Sequence, residues 1–136
     1  MEKLAELYKR WKGTIPATVA QLPEAGSNRK YYRLTDSDGE SVIGVVGNSR
    51  DENHTFIYLT NHFTERRLPV PHILAVDDDE LRYLQTDLGC TSLFDVLRGG
   101  RESGGRYNIR EKQLLTAVIR ELPNIQIRGA RGLDWQ

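Results

Sequence analysis

Five consecutive residues, Gly26, Ser27, Asn28, Arg29 and Lys30, carry the chemistry that is easiest to name in this chain. Glycine has no Cβ to hold a ligand off the main chain, so a turn built on Gly26 lets backbone N–H groups approach an anion. The two cations that follow supply the opposite charge. On either side the residues are β-capable, one run ending at Leu22 and another beginning at Tyr31. A strand, a small polar turn over Ala25–Asn28 and a second strand form a segment able to close over phosphates. The same residues also make an ordinary β-hairpin with a basic rim, because Gly, Ser and Asn are default turn formers. A third use is a basic and aromatic strip, Arg29, Lys30, Tyr31, Tyr32 and Arg33, laid against single-stranded RNA.

Other reactive side chains are sparse. His54 and His62 stand eight residues apart in one helical pattern, beyond the i, i+4 spacing of a shared metal ligand pair, and read as surface histidines. Cys90 has no neighbouring His or cation in sequence to lower its thiol pKa, so it is not read as a nucleophile. Asp77-Asp78-Asp79-Glu80 lacks the spacing and distal Glu of a calcium loop and reads as a solvated turn. No metal site and no catalytic residue is assigned.

With 136 residues and 38% hydrophobic content, the chain can bury roughly two thirds of its unfolded surface. Its nineteen basic and nineteen acidic residues cancel. No global field then draws in nucleic acid or an anionic membrane, which weighs against the RNA strip. A single cysteine and no secretory leader pattern point to the cytoplasm, and no apolar run approaches the roughly 20 residues of a membrane span.

The elements that must position the Gly26 turn follow from periodicity. Leu4, Leu7, Tyr8 and Trp11 form one helical stripe over Glu2–Lys12, with Gly13 as its stop. Thr14–Leu22 contains Pro16 and reads as an edge strand. Tyr31–Thr35 and Ser41–Gly47 are strands joined by the Asp36–Gly39 turn, the latter apolar on both faces. Ser49 and Glu52 match a capping box, and Phe56, Leu59 and Phe63 define a helix to Arg66 whose stripe needs Val42–Val46 as partner. Leu68-Pro69-Val70-Pro71 forces extended chain, and Ile73–Val76 and Leu81–Leu88 form a hairpin around the acidic turn. Beyond Gly89 come a short helix over Ser92–Arg98 with Leu93, Phe94 and Leu97 inward, a flexible Gly99–Gly105 link, and a helix capped by Asn108 and Glu111. That last helix carries Leu115, Val118, Ile119 and Leu122 and is stopped by Pro123.

This α+β order, five antiparallel strands with one helix inserted after the third, resembles the N-terminal lobe of a protein-kinase-like fold. The segments GSNRKYYRL, VIGVV, ENHTFIYLTNHF, LPVPHILAV and YLQTDLG with TSLFDVL resemble the aminoglycoside phosphotransferase and choline kinase-like family, nearest its sugar-kinase-like bacterial branch. The likeness covers about residues 15–98. It implies a nucleotide-binding N-terminal lobe over residues 1–88 and, over residues 89–136, a hinge and the first helices of an incomplete C-terminal lobe. Gly26, Ser27, Asn28, Arg29 and Lys30 then match the loop over the ATP phosphates. Glu52 matches the structural acid of the inserted helix, and Gln85, Thr86, Asp87 and Leu88 match the hinge whose backbone meets adenine.

The family's catalytic loop, His-x-Asp-x-x-x-x-Asn, finds no counterpart around His54, His62 or His72. The resemblance therefore implies the ATP-binding lobe of a sugar or aminoglycoside-like phosphotransferase, inactive alone. Its Mg²⁺ ligands and acceptor site belong to a lobe that the chain, cut short, lacks. Val45 or Val46 occupies the position of the phosphate-gripping lysine, leaving Arg29 or Lys30 as substitutes. Partners on this reading are a nucleotide and a small-molecule acceptor, with no nucleic acid or membrane, and self-association is expected through a face left exposed. The alternative is a non-catalytic binding or regulatory module that keeps the lobe's shape.

Overall fold

A computed structural model describes residues 1–24 and 26–135. The chain forms two compact units, Met1–Leu88 and Gly89–Gln136. The first begins with α1 (Glu2–Lys12), closed by Gly13 in the left-handed conformation with its N–H on the Lys9 carbonyl. β1 (Thr18–Gln21), β2 (Lys30–Thr35) and β3 (Ser41–Val46) follow, then α2 (Arg50–Glu65), β4 (Ile73–Val76) and β5 (Arg82–Thr86). The strands form one antiparallel sheet in the order β1-β2-β3-β5-β4. Pro16 keeps β1 short, and the strand lies at the sheet edge, where a missing N–H is tolerated.

β3 is central, and its alternate residues serve two cores. Val42 and Val46 face α1 with Tyr32, Leu34 and Leu84, against which Leu4, Leu7 and Tyr8 pack. Ile43, Val45 and Tyr83 face the other way, against Phe56 and Ile57 of α2. The expected α2 stripe is thus only partly the docking surface. Phe56 packs on the sheet, whereas Ile57 and the buried Asn53 and Thr60 replace Leu59 and Phe63 as inward residues. The close approach of Asn53 explains part of this rotation. A Cβ on Gly47 would stand 2.5 Å from Asn53 Oδ1, and Asn53 Nδ2 donates to the Glu80 carbonyl at 2.8 Å. His62, read as a surface residue, is buried, with its ring 6.0 Å from Tyr58 and 5.9 Å from Phe63.

The acidic turn between β4 and β5 also departs from expectation. Asp77 accepts from Arg82 Nε at 2.7 Å and from Arg10 of α1, while Asp79 pairs with Arg82. Glu80 accepts from Arg50 Nε at 3.1 Å and meets His54 Nδ1 at 2.9 Å. The turn is a hub joining both helices to the sheet. Four adjacent carboxylates accumulate there because cations from three elements converge on them.

In the second unit, α3 (Leu93–Val96) and α5 (Ile109–Pro123) begin with complete capping boxes, Ser92 with Asp95 and Asn108 with Glu111. Between them the expected flexible link contains α4 (Arg98–Glu102), and Gly100 is buried so closely that a Cβ would stand 2.1 Å from Tyr107. Phe94 is exposed rather than inward, under the Arg101 guanidinium at 3.3 Å. The α-helical bonding of α5 ends at Pro123, as expected, but the chain does not turn away there. Proline has no N–H to give the preceding turn, and the chain continues as a π-helical turn, Asn124–Arg128, closed by Gly129 N–H on the Asn124 carbonyl at 3.0 Å. Among the described residues, no helix is long and apolar enough to cross a membrane.

Burial alone would push the Asp77 carboxyl up, but hydrogen bonds from Arg82 and Arg10 outweigh it and hold the group below the ordinary carboxylate range. A depressed folded pKa contributes stability above the unfolded value, about 4, and loses it as pH falls through the folded value. Asp77→Asn should lower unfolding free energy by about 1–3 kcal/mol near neutral pH, read by urea melts. The gap between parent and variant should close in acid. A gap independent of pH would show that Asp77 acts through packing alone.

Candidate functional site

The β1–β2 connection turns back at Gly26, whose φ of 70° is the left-handed geometry that glycine adopts without strain. Ala25, placed by sequence at the start of this turn, lies outside the described residues. Ser27 Oγ accepts the Arg29 N–H at 3.3 Å, tightening the loop. Arg29 then leaves the turn toward α2, where its Nη2 donates to the Glu52 carbonyl at 3.2 Å and its guanidinium lies 5.0 Å from the centre of the Phe56 ring. The result is an open cleft of about 580 Å³ lined by Ser27, Asn28 and Arg29 on one wall and Asp51, Glu52, Thr55, Phe56 and Leu59 on the other.

Lys30 is not part of it. It opens β2 opposite Val46, on the face that α1 covers. Alternation also separates the two valines at the expected lysine position. Val45 is wholly buried on the α2 face, between Tyr31 and Tyr83 on the neighbouring strands, while Val46 belongs to the α1 face. Arg29 is therefore the cation that stands on the same side as α2. Glu52 meets it through the main-chain carbonyl, and its own N–H is capped by Ser49 Oγ at 3.3 Å.

The segment Gln85–Leu88 lies further along the same face. Tyr83, Gln85 and Asp87 alternate toward the α2 side, with Gln85 opposite Ile43. Thr86 is tied to His72, its N–H donating to the His72 carbonyl and its Oγ1 accepting the His72 N–H, each at 3.0 Å. The Asp87 carboxylate accepts from Arg33 Nε at 2.6 Å, Arg33 Nη2 at 3.1 Å and Ser41 Oγ at 2.7 Å. Leu88 is exposed.

The geometry thus brings Ser27, Asn28, Arg29 and Glu52 into one cleft, but leaves Lys30 on the opposite face and Gln85–Leu88 outside its lining. Periodicity cast Phe56 as core alone, and it missed Tyr83 and the anchoring Arg33. The period of two through Tyr83, Gln85 and Asp87 was the available signal for Tyr83. Chemically, one guanidinium, a hydroxyl and an amide suit an oxyanion at the loop side, while the ring and Leu59 offer an apolar wall. Among the described residues, no group of three or more His, Cys, Asp or Glu side chains could hold a metal ion. No family model matches the chain, and no curated protein matches it significantly.

Asp87 neutralises Arg33 in a setting where its own side chain is only 8% exposed. Asp87→Asn should cost about 1–3 kcal/mol, because it strips the charge from a hydrogen-bonded pair and leaves the guanidinium short of an acceptor. Amide hydrogen exchange at residues 85–88 should accelerate with it. Unchanged exchange would show that the carboxylate does not hold this segment.

Proposed function

We propose that residues 1–88 are the nucleotide-binding lobe of an ATP-dependent small-molecule phosphotransferase with a sugar or aminoglycoside-like acceptor. The protein-kinase-like plan of this lobe is part of the proposal. The observation that carries it is Arg29, a cation rising from a Gly-bearing turn onto the first turn of the helix inserted between β3 and β4. It stands on the face where buried Val45 leaves no lysine. Kinase chemistry rests on positioning and charge neutralisation of the triphosphate, and Arg29 offers a planar fork suited to two phosphate oxygens. Ser27 and Asn28 beside it supply further hydrogen-bonding groups. These residues fit the polyphosphate end of ATP. Mg²⁺ would neutralise the phosphates, with its protein ligands and the acceptor site expected from a C-terminal lobe of which residues 89–136 are the first helices.

Isothermal titration of the chain with MgATP should show saturable binding. Arg29→Ala should weaken it roughly ten- to a hundredfold, the value of one charge-assisted hydrogen bond to phosphate. Lys30→Ala should leave it unchanged, since that side chain is on the other face. If Arg29→Ala binds MgATP as the parent does, the hairpin is structural and the assignment fails.

With no His-x-Asp-x-x-x-x-Asn segment in the sequence, the chain alone should release no product from ATP, Mg²⁺ and a panel of amino sugars above the protein-free rate. Turnover removed by a single substitution in residues 1–136 would place an active site within this chain.

A further inference from the structure

Tyr83 is fully buried, yet its hydroxyl has no hydrogen-bond partner among the described residues. An unmade hydrogen bond of this kind is costly, and native structures keep few of them. Its position is specific. The Tyr83 ring stacks on Phe56 with centroids 5.7 Å apart and an interplanar angle of 28°, and the Arg29 guanidinium lies over the same Phe56 ring. On the sheet, Tyr83 is directly opposite Val45, the residue that fills the lysine position. Burial pushes the phenol pKa up while the Arg29 charge pulls it down, so the hydroxyl remains a protonated donor within the field of that guanidinium.

We infer that the Tyr83 hydroxyl is a second donor to the anion held at the Gly26 turn, sharing with Arg29 the task of the missing strand lysine. The inference rests on the nucleotide reading above and extends it to a residue that no motif marks. The ligand chemistry is a polyphosphate oxyanion. In the structure Arg29 is held over Phe56 and bonded to the Glu52 carbonyl, against the same ring on which Tyr83 stacks. For the hydroxyl to reach the anion, Arg29 must leave the Phe56 ring and Phe56, which stacks on Tyr83 and lines the cleft, must turn aside. Tyrosine suits the position because a neutral O–H can wait in an apolar core at far lower cost than an ammonium group.

The test is Tyr83→Phe in the full chain, titrated with MgATP, inorganic tripolyphosphate and adenosine. Affinity for the first two should fall roughly tenfold or more, adenosine binding should be unchanged, and the thermal midpoint should stay level or rise, because an unsatisfied buried hydroxyl is removed. Unchanged affinity for both phosphates, or an equal loss with adenosine, would overturn the inference while leaving Arg29 and the nucleotide reading standing. Should the variant fail to fold, a fluorotyrosine at position 83 gives a second readout. Its fluorine resonance should shift with tripolyphosphate and not with adenosine, and a resonance unmoved by tripolyphosphate would overturn the inference. If the parent chain binds neither MgATP nor tripolyphosphate, the nucleotide reading falls and this inference falls with it.

Discussion

The first unit depends on the two-sided burial of β3. A strand exposed on one face can slip by one residue only by exchanging its apolar and polar faces, whereas Ser41–Val46 is apolar on both and gains no such protection from its own pattern. Register is set instead by what presses on each side. Leu4 and Leu34 close on Gly44, where a Cβ would stand 2.7 Å from each, so the α1 face accepts only glycine's bulk at that point. On the other face, Val45 is held between Tyr31 and Tyr83, and Phe56 seals the row. Placing Gly44 under α1 leaves Val45 no choice but the α2 face.

That choice has an electrostatic consequence. A buried valine next to two aromatic residues makes the centre of the α2 face apolar, and charge can enter it only from the rim. Arg29 does so at the hairpin end, using the Phe56 ring and the Glu52 carbonyl as supports. Arg33 does so at the other end, where its guanidinium donates twice to Asp87, whose carboxylate also accepts from Ser41 Oγ. The two guanidiniums differ in the charge they meet. Arg33 is matched by a carboxylate with two parallel hydrogen bonds, while Arg29 is held by a neutral carbonyl and a ring face, a weaker hold from which it can be drawn. On the proposed reading, this difference separates the structural arginine from the binding one.

The second unit shows the opposite situation, with local signals that are strong and a core that is small. Both capping boxes form, yet Val118, Ile119 and Leu122 on α5 remain exposed, as do Phe94 and Trp135. Helix starts are decided by hydrogen bonds within a single turn and need no tertiary partner. Burial of the apolar stripe does need one. The continuation past Pro123 follows the same logic, because the π-helical turn is closed by a local bond, Gly129 N–H on the Asn124 carbonyl.

Short-range physics was therefore readable from the residues. The spans of α1 and α2, the Gly13 stop, the Ser49 and Asn108 caps, the five strands and the inserted helix all rest on periodicity or on bonds a few residues long. Which face a residue serves was not readable where both faces are apolar, so Val45 and Val46 stayed equivalent until α1 and α2 were in place. Nor could sequence find the convergence of Arg10, Arg50 and Arg82 on the acidic turn, or of Arg33 and Ser41 on Asp87, whose partners are 46 and 54 residues away. Spacing makes His62 a surface residue and the Gly99–Gly105 run a linker, but burial is set by neighbours that only folding supplies. The Gly26 turn was visible as a possible anion site from its residue types. That Arg29 and not Lys30 enters the cleft, over a ring that stacks on the unpartnered Tyr83, was decided by the strand alternation once the sheet and α2 had fixed which side is which.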